Sequence, residues 1–318
     1  MPNVFLKAEK IVNAGLGLLE REIVLPGLVW RNAGGSFVGA AGDTITIRVP
    51  ARTTARTRTL RGARGAASEG TGIITMDTLT ETGIDVVLDE DIYNAIPITD
   101  EEMTLDITSF ATQILAPQVR AVAEGLENKV ADEMVNATYI NTVTMTAYDP
   151  DTGTGGAYTA AIKARRFLND ANVPMNDRIV VMGSGMEETF LNDAHLHVFD
   201  QSGSDSALRD ASIGRIGGFN QVVVSNALPA DFCVAYHRTA FVLSLQAPIV
   251  PQGVPFGQSE SYQGLAMRYL RDYDFRNVQD RSLVDVYAGT NIVADGPDSA
   301  DAGTELDFVR AVKILPAA

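Results

Sequence analysis

The 318-residue chain has one cysteine, Cys233, so it can close no intrachain disulfide and offers no paired thiolates for a metal. A reducing compartment is expected, with Cys233 as a small buried apolar residue. Histidine is nearly as scarce. His195 and His197, with Asp193 and Asp200 close by, would share a face if they lay on a strand, but His237 lies in a separate segment and a third ligand is missing. Neither a metal nor a cofactor is expected. Long apolar runs are lacking too. The longest, "TAFVLSLQAPIV" at 239–250, falls well short of the ~20 residues of a membrane span, and "MPNVFLKAEKIVNAG" lacks the apolar core of a signal peptide. A soluble protein that is not exported is the expectation. Complete catalytic motifs are absent as well. Asp149, Asp151 and Gly153 open like a calcium loop, but Ala160 stands where a bidentate glutamate is required. Ser184 in "MGSGMEE" has neither a G-x-S-x-G frame nor a lysine after the glycines. No catalytic residue is assigned and no enzyme is expected. An α+β hydrolase using Ser184 with His195 or His237 is the minor alternative.

Positive charge is in deficit: 25 Lys and Arg against 40 Asp and Glu leave a net charge of −15. That balance argues against a protein that coats nucleic acid, because affinity for phosphate backbones comes from lysine and arginine. What positive charge there is concentrates in one place. Arg48, Arg52, Arg56, Arg58, Arg61 and Arg64 fall in a stretch with no acidic residue between Asp43 and Glu69. From 51 to 72 the only large apolar side chain is Leu60, so this segment cannot build a core of its own. It reads as an extended loop between alternating strands, "DTITIRVP" before it and "TLTETGIDVVLDEDIYNAI" after it, with Ile84, Val86 and Leu88 on one face. Residues 44–90 thus look like one two-stranded arm. As a single-strand nucleic-acid binder the arm lacks interleaved aromatics. As a docking arm it makes physical sense, because a guanidinium fork pairs bidentately with carboxylates.

A carboxylate-rich surface is available on a predicted helix over about 99–136. A capping box of Thr99 with Glu102 opens it, and an apolar stripe runs from Ile107 to Met134. The helix would span about 55 Å and kink at Pro117. Glu101, Glu102, Asp106, Glu124 and Glu127 are its candidate contacts for Arg52, Arg56, Arg58, Arg61 and Arg64 of another copy, with Asp132 and Glu133 nearby. Arm and acceptor being different patches, such a contact repeats from subunit to subunit and closes into rings. Elsewhere the pattern predicts a helix over 5–24, a strand at 141–148, a helix at 157–171, and from 178 onward short apolar strands alternating with helices, an α+β arrangement. Long strands follow in "MRYLRDYDFRNVQDRSLVDVYAGTNIVADG", then an acidic loop and a final strand in "LDFVRAVKIL".

In this order, the N-terminal helix, the arginine and threonine-rich extension with its returning strands, the helix "ITSFATQILAPQVRAVAEGLENKVADEM", and the later "IGRIGGFNQVVVSNALP" and "GLAMRYLRDYDFRNVQDRSLVDVYAG" resemble the major capsid proteins of tailed bacteriophages, the Hong Kong ninety-seven type fold, and most closely the coat-protein branch of actinobacteriophages. The resemblance implies an N-terminal arm at 1–42, an extended loop at 43–90, a peripheral domain with its spine helix at 91–146, an axial domain at 147–270, and peripheral return strands at 271–318. It implies self-assembly as hexamers and pentamers into an icosahedral head around double-stranded DNA, without sequence-specific binding or membrane contact. A separate scaffolding protein, a portal and decoration proteins are the implied partners. The implied location is the virion capsid, assembled in the host cytoplasm. Some members of the family weld the loop to a neighbour through a lysine. Here Lys7, Lys10, Lys129, Lys163 and Lys313 all lie outside the arm, so no such crosslink is expected. A nonviral shell of the same fold remains an alternative at this point.

Overall fold

The computed structural model describes residues 24–31, 44–49, 81–107, 109–149, 154–193, 214–262, 265–295 and 307–317, with single residues at 55, 57 and 76. The helix expected at 5–24 therefore lies outside the described residues. The architecture is α+β, with two principal sheets and a separate hairpin.

The first sheet runs β1 (Trp30–Arg31), β9 (Phe241–Gln246), β12 (Gln279–Ile292), β11 (Leu265–Asp274), β10 (Phe256–Tyr262), with β4 (Glu90–Thr99) paired along the other edge of β12. All its pairings are antiparallel except β1 with β9. The second sheet runs β5 (Asn141–Thr144), β13 (Ala311–Leu315), β8 (Cys233–His237), β6 (Arg178–Met182), β7 (Gln221–Val224). The hairpin pairs β2 (Thr44–Val49) with β3 (Thr82–Val87), Val49 opposite Thr82. The helices are α1 (Leu25–Leu28), α2 (Ala116–Asn136), α3 (Gly156–Asp170) and α4 (Ser184–Leu191). Among the described residues no helix is long and apolar enough to cross a membrane.

The second sheet is buried on both faces, which is why β6 and β8 read as continuous apolar runs without alternation. Ile179, Val181, Val234 and Tyr236 point into one core, where α2 lays Val119, Val122, Leu126, Val130 and Met134 against Met267, Val284 and Val286 of the first sheet. Val180, Met182, Cys233, Ala235, Val312 and Ile314 point into the other core, against α3. That helix presents Ala157, Ala160, Ala161, Ala164 and Leu168, a stripe at helical spacing whose small side chains let helix and sheet approach closely. Removing one large member of the main core, as in Leu126→Ala, costs about 2–5 kcal/mol through lost burial and residual cavity.

One expectation needs correction. The helix over 99–136 is not continuous. The capping box forms, with Thr99 N–H donating to Glu102 Oε2 at 2.9 Å and Glu102 N–H to Thr99 Oγ1 at 3.3 Å. It caps only a short π-type turn, Glu102–Asp106, which ends where Ile107 turns extended. Helix resumes at Phe110, passes through a second π turn at Ala111–Leu115 and continues as α2, about 40 Å in all. Pro117 lies in the first turn of α2, directly after the wide turn, where a missing N–H is tolerated, so the expected mid-helix kink becomes a change of helical register. Strands at 241–274 belong with β4 and β12, whereas 311–315 lies in the second sheet between β5 and β8. Sheet membership depends on long-range pairing, which local patterning does not reveal.

Candidate interaction surfaces

The root of the predicted arm is built on the first sheet. Ile84 and Val86 alternate inward to pack with Val242, Val293, Ile47 and Trp30. Asp85 faces out and accepts from Thr46 Oγ1 at 2.6 Å across the hairpin, while its backbone carbonyl accepts from Asn291 Nδ2 at 2.6 Å. Gly289 of β12 runs so close to β3 that a Cβ there would stand 2.0 Å from the Val87 carbonyl oxygen. At the β3–β4 junction Lys129 reaches from α2 to Asp89 at 2.8 Å and Glu90 at 2.9 Å. Burial alone would depress the Lys129 ammonium's pKa, but the hydrogen bonds and charges of Asp89 and Glu90 outweigh it and the net shift is upward. The hairpin is therefore fixed at its base by apolar packing, a close backbone approach and a double ion pair. Arg48 lies on β2 and is exposed. Arg52, Arg56, Arg58, Arg61 and Arg64 lie outside the described residues.

The expected acidic acceptor is divided between two elements. Glu101 and Glu102 belong to the π-turn segment after β4, and Asp106 ends that turn. Glu124 and Glu127 belong to α2. Glu102 is spent on its own cap: the Thr99 backbone N–H and then the Thr99 side chain hold its carboxyl below the ordinary glutamate range. Glu127 accepts from Ser225 Oγ at 2.8 Å and Glu133 from Thr290 Oγ1 at 3.0 Å, so both stitch α2 to its own subunit. Glu101, Glu124 and Asp132 are exposed and have no partner among the described residues. On α2 an exposed ridge at four-residue spacing runs Arg120, Glu124, Asn128, Asp132, Asn136.

The residues weighed for chemistry take structural roles. His237 is buried and caps a 3-10 turn, its Nδ1 within 3.3 Å of the Thr239 N–H and 2.8 Å from Thr239 Oγ1. Burial and then the Arg310 charge press its pKa down. Ser184 opens α4 beyond the Met182 end of β6, whereas His237 pairs with Arg178 at the opposite end. The strand rise separates them by on the order of 15–20 Å, which rules out the Ser184–His237 pair as nucleophile and base. Asp193 accepts from the Tyr158 N–H at 2.9 Å, at the start of α3. His195 and His197 lie outside the described residues, as do Asp151 and Gly153, while Asp149 and Thr154 pair as an antiparallel bridge. Among the described residues no cluster of His, Cys, Asp and Glu could hold a metal ion. Cys233 is fully buried, and burial pushes its thiol pKa far up.

Sequence reasoning missed the buried polar groups. Gln118, fully buried on α2, donates to the carbonyls of Asn94 and Ser282 at 3.2 and 3.1 Å and accepts from Ser282 Oγ at 2.6 Å. The facing strands β11 and β12 are laced by Arg268 with Asp285, Arg271 with Asp280 and Arg281 with Asp272. Of these carboxylates Asp285 is almost completely buried. Beside the outermost of these pairs, on the sheet face turned away from α2, lies a groove of about 350 Å³ lined by Ala95, Pro97, Val254, Leu270 and Leu283. The alternating Arg and Asp of "MRYLRDYD" and "QDRSLVD" are the one sequence signal that could have indicated this ladder.

Against known proteins, a family model described as phage capsid protein matches residues 90–290, from the start of β4 to near the end of β12. Solved structures of similar fold include one from Mycobacterium phage Che8, with 21% identity over 92% of this chain and 90% of that one and a TM-score of 0.62. The capsid of cyanophage P-SCSP1u gives 12% identity over 100% and 90% of the two chains and a TM-score of 0.61. A structure from Mycobacterium phage Bobi gives 12% identity over 92% and 90% and a TM-score of 0.58. No curated protein sequence matches.

Proposed function

Because the chain belongs to the phage capsid protein family, we propose that it closes the head shell by laying a cationic arm from each copy onto an acidic surface of the next. The protein is a major capsid subunit of a phage head, a structural and not an enzymatic role. The finer reading is that copies group as hexamers and pentamers into an icosahedral shell around double-stranded DNA, with a scaffolding protein, a portal and decoration proteins as partners, assembled in the host cytoplasm.

The observation that supports the arm is its anchored root. The chain leaves at Val49 and returns at Thr82, directly opposite, so the intervening residues can reach at most roughly 50 Å out and back. The root cannot swing freely, because Ile84, Val86 and Lys129 hold it to the sheet and to α2. Cations carried on such a loop gain little inside their own subunit and much from a neighbour's unpaired carboxylates, for which Glu101 and Glu124 are the exposed candidates. The −15 net charge also limits adhesion between shell and packaged DNA.

Electron microscopy of the purified protein, with and without its neighbouring gene products, tests this. The parent should form closed particles. Arg56→Ala, Arg58→Ala and Arg61→Ala together should leave a folded but poorly assembling subunit. Equally robust particles from the triple variant would remove the arm from the mechanism. Loss of DNA affinity with assembly intact would favour a nucleic-acid role for the arginines instead.

A further inference from the structure

A second concentration of positive charge lies far from the arm in sequence, in the described part of the fold. A recess of about 290 Å³ opens between α1, the start of β6 and the segment before β7, lined by Gly27, Asp177, Arg215, Asn220, Gln221 and Arg238. The Arg238 backbone N–H donates to the Asp177 carbonyl at 3.0 Å, which sets the side chain at the recess wall. Its guanidinium touches the carbonyls of Gly27 and Val29 only at 3.5 Å, the long limit of a hydrogen bond, so most of its donor fork is unspent. Arg215 is exposed and has no hydrogen bond or ion pair among the described residues.

Near the recess, though not lining it, lies a buried cation. Arg178 is 1% exposed, and its guanidinium is held by the carbonyls of Val173 and Pro174 and by Asn169 Oδ1, with no carboxylate partner among the described residues. Its own carbonyl accepts the Asn220 N–H, so it is joined to the recess lining. Arg165 approaches the same segment, donating to the Gly217 carbonyl at 2.9 Å. Burial and then the neighbouring Arg165 charge depress the Arg178 pKa. Two guanidiniums, Arg215 and Arg238, therefore line the recess with one carboxylate, Asp177, in a chain whose overall balance is strongly acidic. Guanidiniums with unspent donors at a recess wall pair best with a carboxylate, which accepts two of their N–H groups at once.

We infer that this recess receives a carboxylate side chain from a second copy of the chain, a contact that rests on the shell reading and is independent of the arm. Its size suits one acidic side chain and a few waters. A DNA backbone presents a charge about every 1.7 Å and calls for a row of cations, whereas this is a single pocket with an aspartate in its wall. Carboxylates that the fold leaves unpaired, such as Glu101, Glu124 and Asp132, exist on every copy.

The test compares the parent with Arg215→Gln/Arg238→Gln and with Arg215→Gln alone, the latter altering only an exposed, unpartnered side chain. Melting of the unassembled subunits checks the fold, and light scattering against protein and salt concentration reads assembly. The expected result is an unchanged melt for Arg215→Gln, a critical concentration for assembly raised about tenfold or more in the double variant, and a flatter salt dependence. Parent and variants that assemble alike would overturn the recess contact and leave the shell reading intact. A parent that forms no particles under any condition would overturn the shell reading and the contact with it. Normal shells that fail to retain DNA would assign the recess to phosphate and equally overturn the proposal.

Discussion

Replacing Gln118 by leucine should loosen the attachment of α2 to the first sheet more than any surface change on the same helix. Leucine has nearly the right volume but cannot hydrogen-bond. It strands the Ser282 hydroxyl, which is 1% exposed and otherwise donates to Gln118 Oε1 at 2.6 Å. An unsatisfied buried hydroxyl costs about 1–3 kcal/mol, and the two carbonyls that lose a donor add about 0.5–1.5 kcal/mol each. Extra apolar burial returns roughly 1–2 kcal/mol, leaving a net loss of about 2–3 kcal/mol. Ser282→Ala in the same background removes the stranded partner, so the double variant should be at least ~1 kcal/mol more stable than the sum of the two single losses predicts. Equilibrium unfolding of the unassembled subunit in urea measures all three variants, a shift of midpoint at constant slope being the expected form. A Gln118→Leu loss below about 0.5 kcal/mol, or strict additivity of the pair, would refute the assignment of Gln118 as the polar clamp between helix and sheet.

Gly289→Ala should force β3 off β12, since the new methyl would meet the Val87 carbonyl at 2.0 Å. Hydrogen exchange at 44–49 and 82–87 should accelerate, while Gly253→Ala, with nothing within 4 Å, leaves it unchanged. The Glu102 cap carries a definite pH sign. Its carboxyl pKa is lowered in the fold, so its contribution is fully present above the unfolded glutamate value and is lost as pH falls through the folded one. Amide NMR of residues 99–106 should therefore show loosening below about pH 4 in the parent and a flat profile in Glu102→Gln. Cys233 should resist alkylation in the native subunit and react fully in denaturant; rapid native labelling would contradict its burial.

Local signals foretold much of the fold. The Thr99–Glu102 reciprocal cap forms as the spacing required, the alternation in β3 buries Ile84 and Val86, and the helix expected at 157–171 forms as α3. No local signal marks the break after the cap, where Leu105 is 79% exposed. Gln118 and Arg178 read as surface residues, since nothing local shows which carbonyls tertiary packing will bring to them. The acceptor surface was legible only as composition. Glu102 and Glu127 look as available as Glu124 in a string of letters, yet the first is taken by a cap and the second by a serine 98 positions away.

The strand at 311–315 is an interior member of its sheet, hydrogen-bonded to β5 on one side and β8 on the other. Synthesis delivers it after every other element described, and until it arrives β5 and β8 have an open slot between them. Half-made or prematurely stopped chains should therefore present an incomplete, sticky intermediate that chaperones or proteases can recognise. Only chains that have filled that slot would have the finished body needed to join a shell, a built-in check on the integrity of each building block before it is committed.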